Sequence, residues 1–188
     1  MLFRSSDRAQ PLLADDRSEL YGALVEALAS LGREHDAKRV ATAWAAFLEG
    51  EAARAKTPEA RAVFDPQRYE AYLTLDEPER AVPMLQQSEK DFPRDYNPPA
   101  RLASAYLRMK KYDDALKAID RALALAYGPR QLRLYTMKAD IYAATGDTAH
   151  ERATVKEALL KTKGLVLMGS SLRARDALEK RATALTTP

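Results

Sequence analysis

The feature that most constrains this chain is a recurrence of 34 residues. Tyr72 and Tyr106 stand that far apart, and each is followed nine residues later by an alanine, Ala81 and Ala115. An aliphatic and a small residue follow thirteen and sixteen residues after each tyrosine: Leu85 and Ser88 in one unit, Ile119 and Ala122 in the next. Self-similarity at a period of about 20–50 residues predicts an array of one repeated supersecondary unit.

The recurrence continues less regularly on either side. Tyr142 lies 36 residues after Tyr106, with Gly146 in the turn behind it and Val155 and Ala158 at the two later places. An earlier, looser unit has an apolar residue in the tyrosine place, a glycine in its turn and an alanine beyond: Leu28, Gly32 and Ala37. We therefore expect about four hairpins, the first of them irregular.

Composition and chain breakers favour helix throughout. The chain has only seven glycines and no β-branched runs. Glycine and proline residues divide it at helix-sized intervals. The predicted helices are 16–31, 35–54, 58–75, 78–91, 98–109, 112–126, 130–144, 147–162 and 171–185. Short breaks between them predict antiparallel neighbours.

The spacing of small residues has a physical reason. Two antiparallel helices approach closely only where small side chains meet at their crossing, and Ala103 with Ala115 supplies such a pair. The larger Tyr106 and Ile119 then fill the space between neighbouring helices. Because one hairpin cannot bury its own apolar face, the units have to stack.

This pattern resembles the tetratricopeptide repeat (TPR) family over residues 18–165. The residues that carry the resemblance are Tyr72, Ala81, Leu85, Ala103, Tyr106, Ala115, Ile119, Ala122, Ala139, Tyr142, Gly146 and Ala158. Two residues depart from the family, since Tyr69 and Glu151 stand where it has small side chains. The resemblance implies an all-α fold, a right-handed superhelical stack of antiparallel helical hairpins with a C-terminal capping helix.

The same resemblance implies three segments. A flexible lead-in covers residues 1–15, TPR-like hairpins cover 16–165, and the capping helix with its tail covers 166–188. A second resemblance concerns the stretches 91–103 and 127–134, which look like repeat regions found C-terminal to thioredoxin-like domains in bacterial proteins. It implies a bacterial chain whose helical part accompanies such a domain.

The sequence offers little for catalysis. It has no cysteine and lacks phosphate-binding glycine loops and the usual hydrolase motifs. We predict His35 in a turn, and His150 exposed in the first turn of a helix, where the adjacent Glu151 does not face it. Trp44, a lone tryptophan at helical spacing, is predicted to lie in the core. We therefore expect no catalytic residue, no metal site, no cofactor and no enzyme activity.

Charge and hydropathy bound the partners. The 30 basic and 27 acidic residues nearly balance, which argues against a nucleic-acid partner. No apolar run approaches the roughly 18 residues that a membrane span needs, and the N-terminus lacks the apolar stretch of a signal peptide. We expect a soluble chain of unknown compartment, with no nucleic-acid or membrane partner and with a homodimer possible.

The resemblance also implies where a protein or peptide partner would bind. In TPR proteins the first helix of each hairpin lines a concave groove. The groove residues implied here are Arg101, Arg108, Arg133, Glu70, Asp140 and Leu107. We expect the three arginines to meet one acidic segment, with the two acids holding them in place when the groove is empty.

A chaperone-tail clamp is not expected. Some TPR domains hold the C-terminal carboxylates of heat-shock chaperones with Lys, Asn and Arg. In either register of that clamp only one of the implied arginines fits, Arg101 or Arg133, and acids at Glu26 and Glu70 would repel a carboxylate.

Three readings of the surface stay open. The first is a non-catalytic interaction scaffold, and the second is a structural appendage that packs on a neighbouring domain such as a thioredoxin-like one. In the third, the charges merely keep a helical array soluble. A contiguous exposed apolar patch at one end would favour the appendage.

Overall fold

The computed structural model describes residues 14–186, and every regular element among them is helical. In chain order they are α1 (Ala14–Ser30), α2 (Glu34–Arg54), α3 (Pro58–Ala62), α4 (Asp65–Leu75), a 3-10 turn (Pro78–Arg80), α5 (Ala81–Asp91), α6 (Asn97–Arg108), α7 (Tyr112–Leu125), α8 (Arg130–Thr145), α9 (Thr148–Lys161) and α10 (Ser170–Thr186). Residues 1–13 of the expected lead-in lie outside the described part.

One predicted helix is in fact two. The segment 58–75 breaks between α3 and α4 at Val63 and Phe64. Pro66 explains the break, because it has no N–H to donate to the carbonyl of Ala62 and its ring would collide with that carbonyl. The proline instead occupies the first turn of α4, where a missing N–H costs nothing.

The turn that ends the first helix is the same in all four repeat units. A residue with positive φ stands four places after each repeat tyrosine or its equivalent: Gly32, Asp76, Lys110 and Gly146. Its N–H bonds to the carbonyl three residues back, and the next N–H bonds to the carbonyl five residues back, at 2.8–3.1 Å. This pair of bonds defines a Schellman C-cap. The irregular first unit shares it.

The core is built from alanines at the helix crossings, as the spacing predicted. Ala103 of α6 and Ala115 of α7 are both fully buried in the hairpin that these helices form. Ile119 is also fully buried, whereas Tyr106 and Tyr142 are half-buried. The small side chains therefore lie at the closest approach, and the larger ones fill the space beside it.

The described residues divide into two compact units at the boundary between Glu77 and Pro78. In the first, Trp44 is only 3% exposed and its indole N–H donates to the Ser18 hydroxyl at 2.8 Å, which confirms it as core. In the second, α5 to α10 pack against one another in sequence. No helix within residues 14–186 is long and apolar enough to cross a bilayer.

Helix α10 covers the end of the second unit by packing on both α8 and α9. Leu178, its one fully buried residue, joins a cluster formed by Leu132, Tyr135, Ala139, Val155 and Ala158. Glu151, in the first turn of α9, is only 8% exposed. The guanidinium of Arg181 donates to its carboxylate at 2.6 Å and also to Asp140.

That arrangement explains how a carboxylate is tolerated where the family has a small residue. Burial alone would lower the pKa of Arg181, but the hydrogen bonds to Asp140 and Glu151 outweigh it and leave the pKa above its ordinary value. One guanidinium from α10 therefore forms ion pairs with acids on two different helices, and it supplies the buried Glu151 with a charged hydrogen-bond donor.

The alanine at the α6–α7 crossing gives a first prediction. Ala115→Arg would overpack the crossing and bury an unpaired charge, so we expect it to lower the free energy of unfolding by about 3 kcal/mol or more. Asp113→Ala, at an exposed place in the first turn of α7, should cost under about 1 kcal/mol. Thermal unfolding followed by circular dichroism measures both. Equal melting temperatures for the two variants would show that the repeat register is wrong.

The repeated turn gives a second prediction. Gly146→Ala should destabilise the chain by about 1 kcal/mol, because φ is 75° there and a left-handed backbone penalises a Cβ. The added Cβ would meet nothing within 4 Å, so the loss would come from the backbone alone. Lys110→Gly should stabilise by up to about 1 kcal/mol.

Gly50→Ala is the matched control for the turn, because Gly50 lies inside α2 and alanine should be favoured there. Chemical denaturation of the three variants would give the free energies. A loss for Lys110→Gly with no loss for Gly146→Ala would contradict the shared turn.

The Arg181 network gives a third prediction. Arg181→Ala would leave Glu151 buried without a cation, at a cost of about 1–3 kcal/mol after allowance for partial exposure. Adding Glu151→Ala should restore part of that loss, since it removes the unpaired charge and returns the small residue of the family pattern. Denaturant unfolding of the single and double variants tests this. A double variant less stable than Arg181→Ala would count against it.

Candidate functional site

Helices α6 and α8, the first helices of two consecutive hairpins, contact each other in the second unit. Ala103 and Ala139, 36 residues apart and fully buried, hold the same place in the two repeats. With that register, Arg133 on α8 corresponds to Asn97 at the start of α6. We define the α6–α8 face as the surface stripe that carries Arg101, Leu107 and Arg108 on α6, and Arg133, Met137 and Asp140 on α8.

The implied arginines do not all lie at one height on this face. Arg133 is in the first turn of α8 and Arg101 in the second turn of α6, so the two lie near the same end. Arg108 is at the last residue of α6, about 10 Å further along the helix axis. Arg108 and Arg133 are exposed and form no ion pair within residues 16–186, whereas Arg101 and Leu107 are half-buried. Only an extended ligand could contact all three arginines.

The acids behave differently from expectation. Asp140 was expected to hold the arginines of the face, but its carboxylate accepts from Arg181 of α10. That expectation was wrong, because Asp140 forms its ion pair with Arg181, which lies 41 residues away in sequence. Glu70 is exposed on α4, in the first unit, and its role stays a prediction.

Neither histidine shows an arrangement for catalysis. His35 lies in the first turn of α2, not in a turn before it, and is exposed. The ring of His150 stacks on Tyr142 with centroids 5.2 Å apart, and its Nδ1 lies 2.6 Å from Asp147. Asp147 also caps α9 by accepting the backbone N–H of His150, and these hydrogen bonds lower its pKa. The pair reads as a helix cap.

A shallow, open pocket of about 560 Å³ lies where the loops before α6 and α8 meet. Its lining residues are Phe92, Arg94, Asp95, Tyr96, Asn97, Tyr127 and Arg130. The guanidinium of Arg130 lies 4.9 Å from the centroid of the Tyr127 ring. Sequence reasoning singled out both stretches, for their likeness to other repeat regions, but missed that they meet. The available signal was position, since each directly precedes the first helix of a hairpin.

Comparison with known proteins agrees with this architecture. Residues 72–137 match a family model described as tetratricopeptide repeat. The second TPR domain of human RPAP3, solved with the HSP70 peptide SGPTIEEVD, is similar with a TM-score of 0.50 and 18% identity, covering 65% of this chain and 98% of that one.

Two further structures are also similar. The TPR-like repeats of a Podosopora anserina putative kinesin light chain give a TM-score of 0.61 at 15% identity, covering 93% of this chain and 96% of that one. MamA from AMB-1 gives 0.51 at 19% identity, covering 85% and 97%. A comparison with curated protein sequences found no match.

Residues 72–137 therefore carry the tetratricopeptide repeat pattern. The predicted family and the predicted all-α, TPR-like fold class are both confirmed. At these identities the solved structures show only that the fold is shared. The particular surface used has to be argued from the residues of this chain.

Proposed function

We propose that this chain is a non-catalytic interaction scaffold that binds an extended acidic segment of a partner protein across the α6–α8 face. The observation that carries the proposal is the charge of this face. Three arginines stand on this face against one acid, Asp140, which is paired with Arg181, and Arg108 and Arg133 are exposed and form no ion pair within the described side chains. The face is thus left with a positive excess.

The chemistry of guanidinium suits such a ligand. Each arginine can hold a carboxylate through two parallel N–H···O bonds, which a lysine cannot do. Exposed ion pairs contribute only about 0.2–1 kcal/mol each, so three of them set orientation and on-rate more than affinity. Half-buried Leu107 and Met137 offer the apolar contact that the arginines lack. Binding is therefore expected to weaken as ionic strength rises.

A chaperone tail is a poor candidate for this ligand. The RPAP3 domain was solved with an HSP70 peptide, but a clamp in the matching place here would need Asn97. The Asn97 side-chain amide donates to Asp95 at 2.7 Å, and its backbone N–H donates to the same carboxylate oxygen at 2.9 Å. Because that amide is engaged, Arg101 is the one clamp residue left to hold the carboxylates of a chaperone tail.

The fourth prediction tests the α6–α8 face. Arg101→Ala, Arg108→Ala and Arg133→Ala together should lower the affinity for a fluorescent nine-residue peptide of Glu and Asp by about tenfold or more, without changing the circular dichroism spectrum. The triple change Lys156→Ala, Lys163→Ala and Arg173→Ala removes the same charge from exposed places on α9, α10 and their connecting loop. It should leave affinity unchanged. Fluorescence anisotropy at two salt concentrations provides the measurement.

Two further arms sharpen this test. The double change of His35 and His150 to Ala should have no effect, and the peptide SGPTIEEVD should bind no better than the plain acidic peptide. Equal losses in the arginine variant and its matched control would mean that only net charge matters. The α6–α8 face would then not be a site.

A second candidate function is supported by a different surface. The loop between α9 and α10 and the adjoining helix ends expose five large apolar side chains, of which Val166 is 86% and Met168 79% exposed; the others are Leu160, Leu165 and Leu172. Such a patch favours the structural appendage, in which this end packs on a neighbouring domain, for example a thioredoxin-like one. If capture of a natural partner survives the arginine changes but is lost in Val166→Asp with Met168→Asp, the appendage is the function.

A further inference from the structure

The open pocket before α6 and α8 combines cations with exposed rings. We propose that it binds an aromatic side chain flanked by acidic residues, carried on an extended peptide segment of a partner protein. The inference deepens the function proposed above by naming a chemical class of partner. It stands on different residues, namely Arg94, Arg130, Tyr96 and Tyr127, so the two can fail separately.

The charge of the pocket is positive in effect, although one acid lines it. The Asp95 carboxylate accepts both the side-chain amide and the backbone N–H of Asn97, at 2.7 and 2.9 Å, so it is held by the loop itself. Arg94 and Arg130 are exposed. Helices α6 and α8 both begin here, and the positive ends of their dipoles add to the field.

Most backbone N–H groups at the starts of α6 and α8 are not available to an anion. Pro98 and Pro99 have no N–H, and that of Asn97 is used by Asp95. At the start of α8, Gln131 and Leu132 donate to the carbonyls of the preceding turn. An incoming carboxylate is therefore held mainly by the side chains of Arg94 and Arg130, which makes the arginines the correct targets for mutation.

The aromatic part of the proposal rests on Tyr127. Its side chain is 68% exposed, which is unusual for so large a ring, and Arg130 stacks at 4.9 Å from its centroid. Contacts with aromatic rings and with stacked guanidinium groups contribute strongly to the binding energy of a partner's aromatic side chain. Phe92 and Tyr96, both half-buried, form the remaining apolar wall. The pocket, about 560 Å³ in volume, is open on one side, so a ring can enter it from solvent.

An extended peptide fits better than a small free ligand. The pocket is open, and Arg101 lies one helical turn beyond Asn97, about 6 Å along α6. Arg133 follows Arg130 by three residues on α8. A chain that places a ring beside Tyr127 can therefore continue onto the α6–α8 face with its acids against these arginines.

The experiment uses the full chain and three labelled seven-residue peptides. One has a central Trp flanked by three acidic residues on each side, the second has Ala in place of Trp, and the third has Trp flanked by lysines. We expect the acidic Trp peptide to bind about tenfold more tightly than the acidic Ala peptide. The lysine peptide should not bind. Isothermal titration calorimetry measures all three.

Variants then assign the two parts of the recognition. Arg94→Ala with Arg130→Ala should weaken both acidic peptides about tenfold, whereas Lys163→Ala with Arg173→Ala, a charge-matched control, should weaken neither. Tyr127→Ala should remove the preference for Trp over Ala and leave the acidic Ala peptide unchanged. All these positions are exposed, and unchanged circular dichroism spectra confirm folding.

Each opposite result overturns the proposal. Equal binding of the Trp and Ala peptides, no binding of either, or a Trp preference that survives Tyr127→Ala would show that the pocket takes no ring. If the triple arginine variant of the α6–α8 face abolishes binding while Arg94→Ala with Arg130→Ala does not, the pocket fails and the face stands. The reverse pattern leaves the pocket and removes the face.

Discussion

The close approach of two helices at each crossing is the interaction on which the rest of the structure depends. It requires a side chain no larger than a methyl group at the contact, and Ala103 and Ala115 meet that requirement with no exposed surface left. The turn then has to reverse the chain within two or three residues, which the Schellman cap does. Asp76 and Lys110 adopt a left-handed backbone in this turn, although neither is glycine. The turn therefore stabilises the fold by more than the backbone strain costs.

Where the small residue of the repeat pattern is missing, an ion pair takes part in the packing of the helices. Glu151 brings a carboxylate to a place that elsewhere holds alanine, and α10 answers it with Arg181. The last hairpin is therefore closed by an ion pair as well as by the apolar contact of Leu178. A helix that covers the end of an array usually needs only one apolar stripe. Here α10 also pairs Arg181 with the buried Glu151 of α9. This ion pair fixes the position of α10 along the last hairpin.

What the sequence predicts depends on how far apart the interacting residues are. Local signals predicted the helices, the burial of Ala115 and the turn at Gly146, because spacing and glycine act within one hairpin. The break at Pro66 was also readable, since the ring of a proline obstructs the carbonyl four residues earlier. Contacts across 30 residues or more, such as Arg181 with Glu151, carry no comparable signal. The pocket was missed for the same reason, because its two loops are distant in sequence.

The pairing of Arg181 links the end of the fold to the proposed site. Asp140 lies on the same stripe of α8 as Arg133, seven residues further on, and without Arg181 its charge would oppose an acidic ligand. Since the guanidinium donates to both Asp140 and Glu151, the contact that fixes α10 also offsets part of the negative charge of Asp140 on the α6–α8 face. A variant that loosens α10 should therefore weaken acidic peptides even when α6 and the pocket stay folded. Binding measured against salt would separate this charge effect from lost apolar contact, because only the former is screened.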